Sequence, residues 1–548
     1  MRWWLPSARC KSRVPSRPTC ADRVIGMLKA AGVERLFGMP GGGSNADLIE
    51  AAGNAGLPFS LAHTETASAF MAAAQAEITG KPGACLATLG PGAASLMNGV
   101  ANASLDRVPL LVLTDCLGEH DAGVMRHQAL RHGEMFRPVV KWSARPGAGE
   151  LEAALDRALA EVRSLPPGPV HLDLSADVTG ALWRGHSCLP CPRSSGHFSP
   201  CHLERLPNSH HPVILAGLGA RTTAIAKSLR ELCERLCIPA LVTYKAKGVI
   251  PDGHPWFAGV LTNAALERNV LERADLFLAV GLDPVELIPR PWTHPQPLIS
   301  ISAWPMEPSQ LPVTLELVGE IPALLDELSA GLPASQWDAA ELRALAEDQR
   351  RRMRDAPGAE HGRQLLPQRI VEVAAEIYPG ARAIVDAGAH MFAVMSLWPA
   401  REPASVLVSN GLSTMGFALP AAIGAALLDP SRPVVVFTGD GGLMMCAGEL
   451  ATAAREKLRL RIILFQDNSL SLIKVKQEQR GYRTGGVTFG DINWPCVASG
   501  FGVEGRLAAD EDQLRSCLEE TAGHPGPVLI AARISGETYG HTIRALRG

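Results

Sequence analysis

The sequence lacks the features that define several large classes of protein. It has no excess of positive charge. Its 52 Lys and Arg face 55 Asp and Glu, a formal net charge of −3, so the basic footprint of a nucleic-acid-binding surface is missing. It has no apolar run near the ~18 residues that cross a bilayer, and no secretory h-region. Nucleic acid and membrane are therefore not expected as partners. Twelve cysteines are scattered along the chain, several of them (Cys85, Cys233, Cys237, Cys446) in apolar stretches. They read as reduced core thiols, which makes the cytoplasm the expected compartment. Acid is absent from residues 1–20, where Arg2, Arg9, Lys11, Arg13 and Arg17 are interrupted by Pro and Ser. Without the amphipathic pattern of a transit peptide, this segment reads as a disordered basic extension or the product of a misplaced start, and residue 21 as the effective beginning.

What is present is apolar material for several cores: 47% hydrophobic and 20% charged residues in a chain of 548. At about 150 residues per domain, three or four domains are expected. From 21 to 185, helices over 24–31, 47–53 and 67–76 alternate with short apolar runs at 34–37, 84–88, 110–114 and 169–174. Such alternation predicts a doubly wound parallel sheet. Residues 186–203, rich in Pro, Ser and Cys, read as a linker. A middle α/β domain follows over 204–335, with strands at 212–216 and 276–280 and a helix at 223–236. The charge-dense stretch 336–365 reads as a solvated connector helix. The last domain, 366–548, has strands at 383–385, 433–438, 460–465 and 527–531. The fold class is α/β, with three doubly wound parallel-sheet domains in series.

The chemistry gathers in the last domain. The run PVVVFTGDGG (433–442) ends a buried strand in Gly439-Asp440-Gly441-Gly442, and a helix follows with Leu443, Ala447, Leu450 and Ala454 on one face. Ligands of open α/β sheets collect at the carboxyl ends of strands, and a glycine-rich approach to a helix favours phosphate oxygens. Asp440 aims a carboxylate at the same place. A second acid, Asp467, ends the next strand 27 residues later, and one βαβ unit brings the two strand ends side by side. Phosphate and carboxylates repel unless a cation lies between them, and octahedral Mg²⁺ suits that role. For GDG alone, a tight turn with Asp467 as a helix cap explains the residues as well.

These residues carry a resemblance. GDG followed 26 residues later by Asp or Asn is similar to the signature of the thiamine diphosphate-dependent enzymes, and the text around it resembles the acetolactate synthases. The stretch 410–442 resembles the diphosphate domain of that family. FGMPGGGSNADL (37–48), HTETASAFMAAAQAEITGKPG (63–83) and residues 86–114 resemble its pyrimidine domain. The resemblance implies thiamine diphosphate and Mg²⁺ as cofactors and a 2-oxo acid as substrate, decarboxylated and then either released or condensed with a second carbonyl. It implies Glu65, in HTETASAF, as the catalytic acid that hydrogen-bonds the aminopyrimidine ring and switches on the thiazolium carbon. On its own residues Glu65 reads as a carboxylate complementing a helix dipole. Asp440, Asp467 and the Ser469 carbonyl are implied as metal ligands. Gly439, Gly441, Gly442 and His390 are implied at the diphosphate, Met415 as the wedge that bends the cofactor, and the Ser413 carbonyl as acceptor for its amino group. The resemblance also implies a homodimer or homotetramer with the active site at the subunit interface.

Departures from the family pattern keep the substrate open. Asp467 stands where Asn is commoner, Ala389 precedes His390 where the family has Gln, and Asp115-Cys116 follow a strand where Gly-Gln is usual. His127-Gln128 replace Phe-Gln. The middle domain has AVGLDPVELIPRPW (279–292) in place of a flavin-binding segment, and Gly217-Leu218-Gly219 lacks the rest of a dinucleotide fingerprint, so FAD is not expected. The stretch QEQRGYRTGG (477–486) is expected to cover the site. The Cys and His residues of 186–202 read as a flexible linker, with a structural zinc site as the alternative. A non-condensing 2-oxo acid decarboxylase of the benzoylformate or indolepyruvate type, an acyloin lyase, and a non-catalytic partner subunit remain alternative functions.

Overall fold

The computed structural model describes residues 17–184, 209–354 and 365–547. The 186–203 linker with its Cys/His cluster, residues 1–16 of the basic extension and residues 355–364 of the connector lie outside the described residues.

Three parallel six-stranded sheets follow one another along the chain. The first contains β1 (Leu36–Gly38), β2 (Phe59–Leu61), β3 (Gly83–Ala87), β4 (Leu110–Cys116), β5 (Trp142–Ala144) and β6 (Val170–Ser175), in the order β2-β1-β3-β4-β6-β5. The second contains β7 (Pro212–Ala216), β8 (Ala240–Val242), β9 (Phe257–Val260), β10 (Leu276–Val280), β11 (Leu298–Ser302) and β12 (Val313–Val318), ordered β12-β11-β10-β7-β8-β9. The third contains β13 (Arg382–Val385), β14 (Val406–Val408), β15 (Val434–Gly439), β16 (Leu460–Gln466), β17 (Glu504–Ala508) and β18 (Val528–Arg533), ordered β14-β13-β15-β16-β18-β17. The outer sheets share one topology. The middle sheet has the order of a dinucleotide-binding domain. Central strands such as β4 and β16 are buried along their whole length, as expected where helices cover both faces.

The outer sheets are joined through a shared core. The helix Glu65–Thr79 precedes β3, and the helix Ala418–Leu428 holds the corresponding place before β15. Both are buried on almost every side and rich in alanine, and small side chains let two helices approach closely. Phe70 meets Phe417 edge-on at 5.4 Å, and Gln75 donates to the Gly424 carbonyl at 3.0 Å.

Several expectations shift. The first helix is Cys20–Ala30, closed by a Thr19–Asp22 capping box, and Cys20 is buried. Residues 17–20 therefore belong to the first domain, and the extension is shorter than read from composition. The connector helix, Ala339–Arg354, is not solvated all round. Leu342 enters the middle core and Met353 the last, while Gln349 donates to the Ala258 carbonyl at 3.1 Å. The helix after GDG is two helices, Asp440–Cys446 and Glu449–Arg455, separated at Gly448. Glu449 turns away to accept from His63 N at 2.8 Å and Thr64 N at 3.2 Å of the first domain. Cys85, Cys233 and Cys446 are buried free thiols, whereas Cys237 is half-buried. Among the described residues no helix is long and apolar enough to cross a membrane.

Candidate functional site

A cavity of about 660 Å³ opens at the carboxyl edge of the third sheet, with residues of the middle domain as its far wall. His390, Ser413, Met415, Gly439, Asp440, Gly441, Gly442, Asp467 and Ser469 all line it. Glu65 does not. It lies at the first turn of its helix, 9% exposed, with Thr64 as the cap accepting from Ala67 N at 3.1 Å. A side chain at Gly92 would come within 3.1 Å of its carboxylate. The structure thus gathers nine of the ten site residues expected from the sequence and sets the tenth apart.

Asp440 begins the helix that follows β15, and Asp467 follows β16, the adjacent strand. Asp440 accepts from Gly441 N at 2.8 Å, from Asp467 N at 3.0 Å and from Asn468 N at 2.6 Å. Asp467 accepts from Ser469 N at 3.2 Å and from the Ser471 hydroxyl. Burial, and then the neighbouring Asp467, push the Asp440 carboxyl up to about 6; burial also raises Asp467. Two desolvated acids that repel one another favour a cation between them. Among the described residues no three His, Cys, Asp or Glu side chains converge. Two carboxylates with room for other oxygens suit Mg²⁺ rather than an all-protein cage.

His390 stacks on Phe465 at 5.0 Å, and burial lowers its pKa to about 4, so it is neutral near pH 7. His390 lines the cavity, and its Nε2 is buried without a hydrogen-bond partner. Ser413 holds a left-handed backbone (φ 51°), a costly conformation for a non-glycine residue that persists where the surroundings enforce it. Asp386 supplies part of that enforcement. Fully buried, it accepts from Gly416 N at 3.1 Å, Phe417 N at 3.0 Å and the Thr438 hydroxyl at 3.0 Å. It ties the 409–417 loop to β15. A Cβ on Gly442 would come within 2.1 Å of its Oδ2, so that glycine is a steric necessity. The Met415 terminal methyl lies 3.3 Å from where a Gly441 Cβ would sit, which places the side chain over the glycine turn.

Sequence reasoning missed the groups that hold this loop from outside its own domain. Asp106 accepts from Gly411 N at 2.8 Å and pairs with Lys245 at 3.2 Å. Lys245 also pairs with Glu77 at 2.7 Å. Glu286, from the middle domain, lines the cavity, and Asn410 donates to its carbonyl at 3.2 Å. Only Asp386 left a signal, an acid at a strand end in DAGAH. The cover expected over 477–486 contributes nothing to the cavity lining, and Gln477 folds it back with a 3.1 Å bond to the Gly485 carbonyl. His127 stands exposed in its loop.

Comparison with known proteins agrees with this division. Residues 18–135 match the N-terminal TPP binding domain of thiamine pyrophosphate enzymes, 201–328 their central domain and 386–532 their C-terminal TPP binding domain. A catabolic acetolactate synthase from Raoultella terrigena is 30% identical over 533 residues, covering 93% of this chain and 94% of that protein. An acetolactate synthase from Bacillus subtilis (strain 168) is 29% identical, with 95% and 93% covered. A probable 2-ketoarginine decarboxylase from Pseudomonas aeruginosa is also 29% identical, with 97% of each chain covered.

Proposed function

Since the chain belongs to the thiamine pyrophosphate enzymes, we propose that it uses thiamine diphosphate and Mg²⁺ to decarboxylate a 2-oxo acid and condense the product with a second 2-oxo acid, as an acetolactate synthase-like enzyme. The observation that carries this reading is the convergence of Asp440 and Asp467 in one cavity with the buried, unpartnered Nε2 of His390. That donor set fits a diphosphate tied through a divalent ion. When bound, the cofactor supplies the carbon nucleophile and the electron sink.

The chain's own residues then bind and orient. Asp440, Asp467 and the Ser469 carbonyl would hold the metal, and His390 would meet the diphosphate. The Ser413 carbonyl would accept from the cofactor's amino group, Met415 would pack against its rings, and Glu65 would hold a proton at the pyrimidine nitrogen. Glu65 lies outside its own chain's cavity, which supports a site that a second copy completes with its own Glu65, in a homodimer or a dimer of dimers. Exposed Val124, Met125 and Leu130 on the first domain, and Met444 and Met445 on the helix after Gly439, support such an interface. FAD has no place in this reading: Glu286 already takes Leu218 N of the Gly217-Leu218-Gly219 turn at 2.8 Å, filling a position a dinucleotide phosphate would need. The likeness to a probable 2-ketoarginine decarboxylase supports a second reading, decarboxylation without condensation.

Calorimetry with thiamine diphosphate and Mg²⁺ should show binding, and mass spectrometry of products from pyruvate should show an acyloin acid. Released aldehyde alone would favour the second reading, and no binding would refute both. Mixing Glu65→Gln with Asp440→Ala subunits should restore part of the activity if the site is shared between copies.

A further inference from the structure

The first domain buries a polar network that the proposed reaction does not use. His132 begins the short helix His132–Phe136, and His171 and Asp173 lie on β6; all three are buried. Asp173 Oδ1 meets His132 Nδ1 at 2.8 Å and accepts from the Thr114 hydroxyl of β4. That hydroxyl also meets His171 Nε2 at 2.7 Å, and the Ser143 hydroxyl of β5 meets His171 Nδ1 at 2.8 Å. Thr114 gives its one proton to Asp173, so His171 donates to Thr114 through Nε2 and accepts from Ser143 at Nδ1. Burial alone would raise the Asp173 carboxyl, but the bonds from His132 and His171 outweigh it and hold Asp173 below its usual range.

On its other side, His132 Nε2 accepts from Gly90 N at 3.2 Å. A neutral imidazole has one donor and one acceptor nitrogen. With Nε2 accepting, the ring proton sits on Nδ1 and goes to Asp173, so one tautomer satisfies both bonds. A proton added at Nε2 would turn the acceptor into a donor facing the Gly90 N–H. Among the described residues, the titratable groups around His132 are Asp173 and His171 on β6, with Asp115 and Cys116 of β4 interacting with Asp173. On its own helix, Glu134 pairs with Arg131 at 2.9 Å, both exposed.

The turn that His132 holds forms a wall beside Glu65. A side chain at Gly90 would meet the Gln128 Cβ at 2.8 Å, so the turn is also confined from that side. Two residues on, a Cβ at Gly92 would lie 2.8 Å from the Thr88 side chain and 3.1 Å from Glu65 Oε1. The Thr88 carbonyl closes the turn by accepting from Ala93 N at 3.0 Å. Movement at Gly90 therefore moves the surface beside the Glu65 carboxylate.

We infer that His132 is a positioning residue: as a neutral acceptor it pins the Gly90 turn and thereby sets Glu65, and a proton on its Nε2 releases the turn. The inference rests on the reading above for the role of Glu65. Hydrogen exchange at the Gly90 amide of the cofactor-free protein, read by mass spectrometry, tests the hold itself. Protection should be lost in His132→Leu and kept in His132→Gln, whose amide oxygen can take the Gly90 N–H but takes up no proton. It should fall in the wild type relative to the Gln variant as pH drops from about 8 to about 5, the range in which histidine ordinarily gains a proton.

Exchange of the thiazolium proton of bound thiamine diphosphate into heavy water, read by NMR after quenching, tests the consequence for Glu65 without a substrate. His132→Leu should slow it about 10- to 100-fold at every pH, as a displacement of about 1 Å at a reacting group can, with cofactor affinity within about 3-fold. His132→Gln should rescue most of that rate, and the ratio of the Gln variant to the wild type should rise as pH falls. Equal Gly90 exchange in all three proteins overturns the hold. Lost protection with an unchanged thiazolium rate overturns the link to Glu65. If the Leu variant does not fold, a Gln-to-wild-type ratio that stays constant with pH in both readouts overturns the inference, because a merely structural histidine would give that result. A wild type that binds no thiamine diphosphate overturns the role of Glu65, and the Gly90 measurement still judges the hold separately.

Discussion

The first and third sheets have the same strand order, yet they present different chemistry at the same edge. In the third, the turn after β15 offers Asp440 beside glycines, and Asp467 follows the strand next to it. In the first, the turn after β3 runs through Gly90 in a left-handed conformation (φ 66°), and His132 holds it by accepting from Gly90 N at 3.2 Å. His132 is fixed in turn by Asp173 at 2.8 Å. The acid near the end of the adjacent strand there, Asp115, is spent on Ser44, accepting from its N at 3.2 Å and its hydroxyl at 3.0 Å. Topology was duplicated; binding chemistry was not. One edge brings two acids and a glycine turn together at a cavity. The other holds a glycine loop against Glu65, one side of which faces Gly92.

The sharpest way to break that comparison is to disable each edge separately. Asp440→Ala should cost about 100-fold or more in cofactor affinity, since even supporting residues of a metal site are worth about 10–100-fold. Glu65→Gln should leave that affinity largely in place and lower kcat by about 10²–10⁴-fold, the usual worth of a positioned acid. Calorimetry read beside steady-state kinetics checks both. If the two variants fail in the same way, the division of labour between the sheets is wrong.

The parts of this arrangement visible in the sequence were local. Buried strands such as β4, β15 and β16 appear as apolar runs bounded by Gly, Pro and Asp, and Asp440 and Asp467 fall within one βαβ unit. The strands β2, β5 and β14 are three residues each and did not stand out as apolar runs, and β17, EGRLA, is a polar edge strand. The groups that lock the site are long-range. Lys245 meets Glu77 across 168 residues, and Asp106 reaches Gly411 across 305. No periodicity records such a pairing. The break at Gly448 was hidden for the same reason, because its cause, the bond of Glu449 to His63 N, comes from the first domain.

The junction between the sheets gives the next largest effect. Burial alone would raise the Glu77 carboxyl, but Lys245 and Arg221 outweigh it and hold Glu77 below its usual range. Lys245→Met leaves Asp106 and part of Glu77 buried without a counter-charge, which should cost about 3–5 kcal/mol in urea unfolding. A cost under about 1 kcal/mol would mean water enters the junction. Gly424→Ala should cost less, about 1–3 kcal/mol. Alanine ordinarily stabilises a helix interior over glycine by about 1 kcal/mol. Here its Cβ would come within 2.3 Å of the Met71 carbonyl oxygen, part of a backbone that cannot retract. The sign of the change therefore reports whether the two equivalent helices are as closely packed as the structure has them.

The middle sheet supplies the smallest and most conditional effect. Its order places a crevice between β7 and β10, where a nucleotide would bind in a related topology. Glu286 fills it, accepting from Leu218 N at 2.8 Å, Asp283 N at 3.2 Å and the Thr243 hydroxyl, and burial pushes its carboxyl up to about 7. Because the folded chain resists ionising Glu286, its contribution to stability is complete below about pH 4.5 and is lost as pH rises through 7. Glu286→Gln can keep these contacts, with its carbonyl oxygen on the two backbone N–H groups and its amide donating to Thr243, and it carries no charge at any pH. The variant should therefore be more stable than the wild type by about 1–3 kcal/mol at pH 8, and the gap should close toward pH 5. Thermal melts at the two pH values decide it. A gap that does not change with pH would mean the carboxylate ionises freely, and that the middle sheet's edge is open to solvent in a way the other two are not.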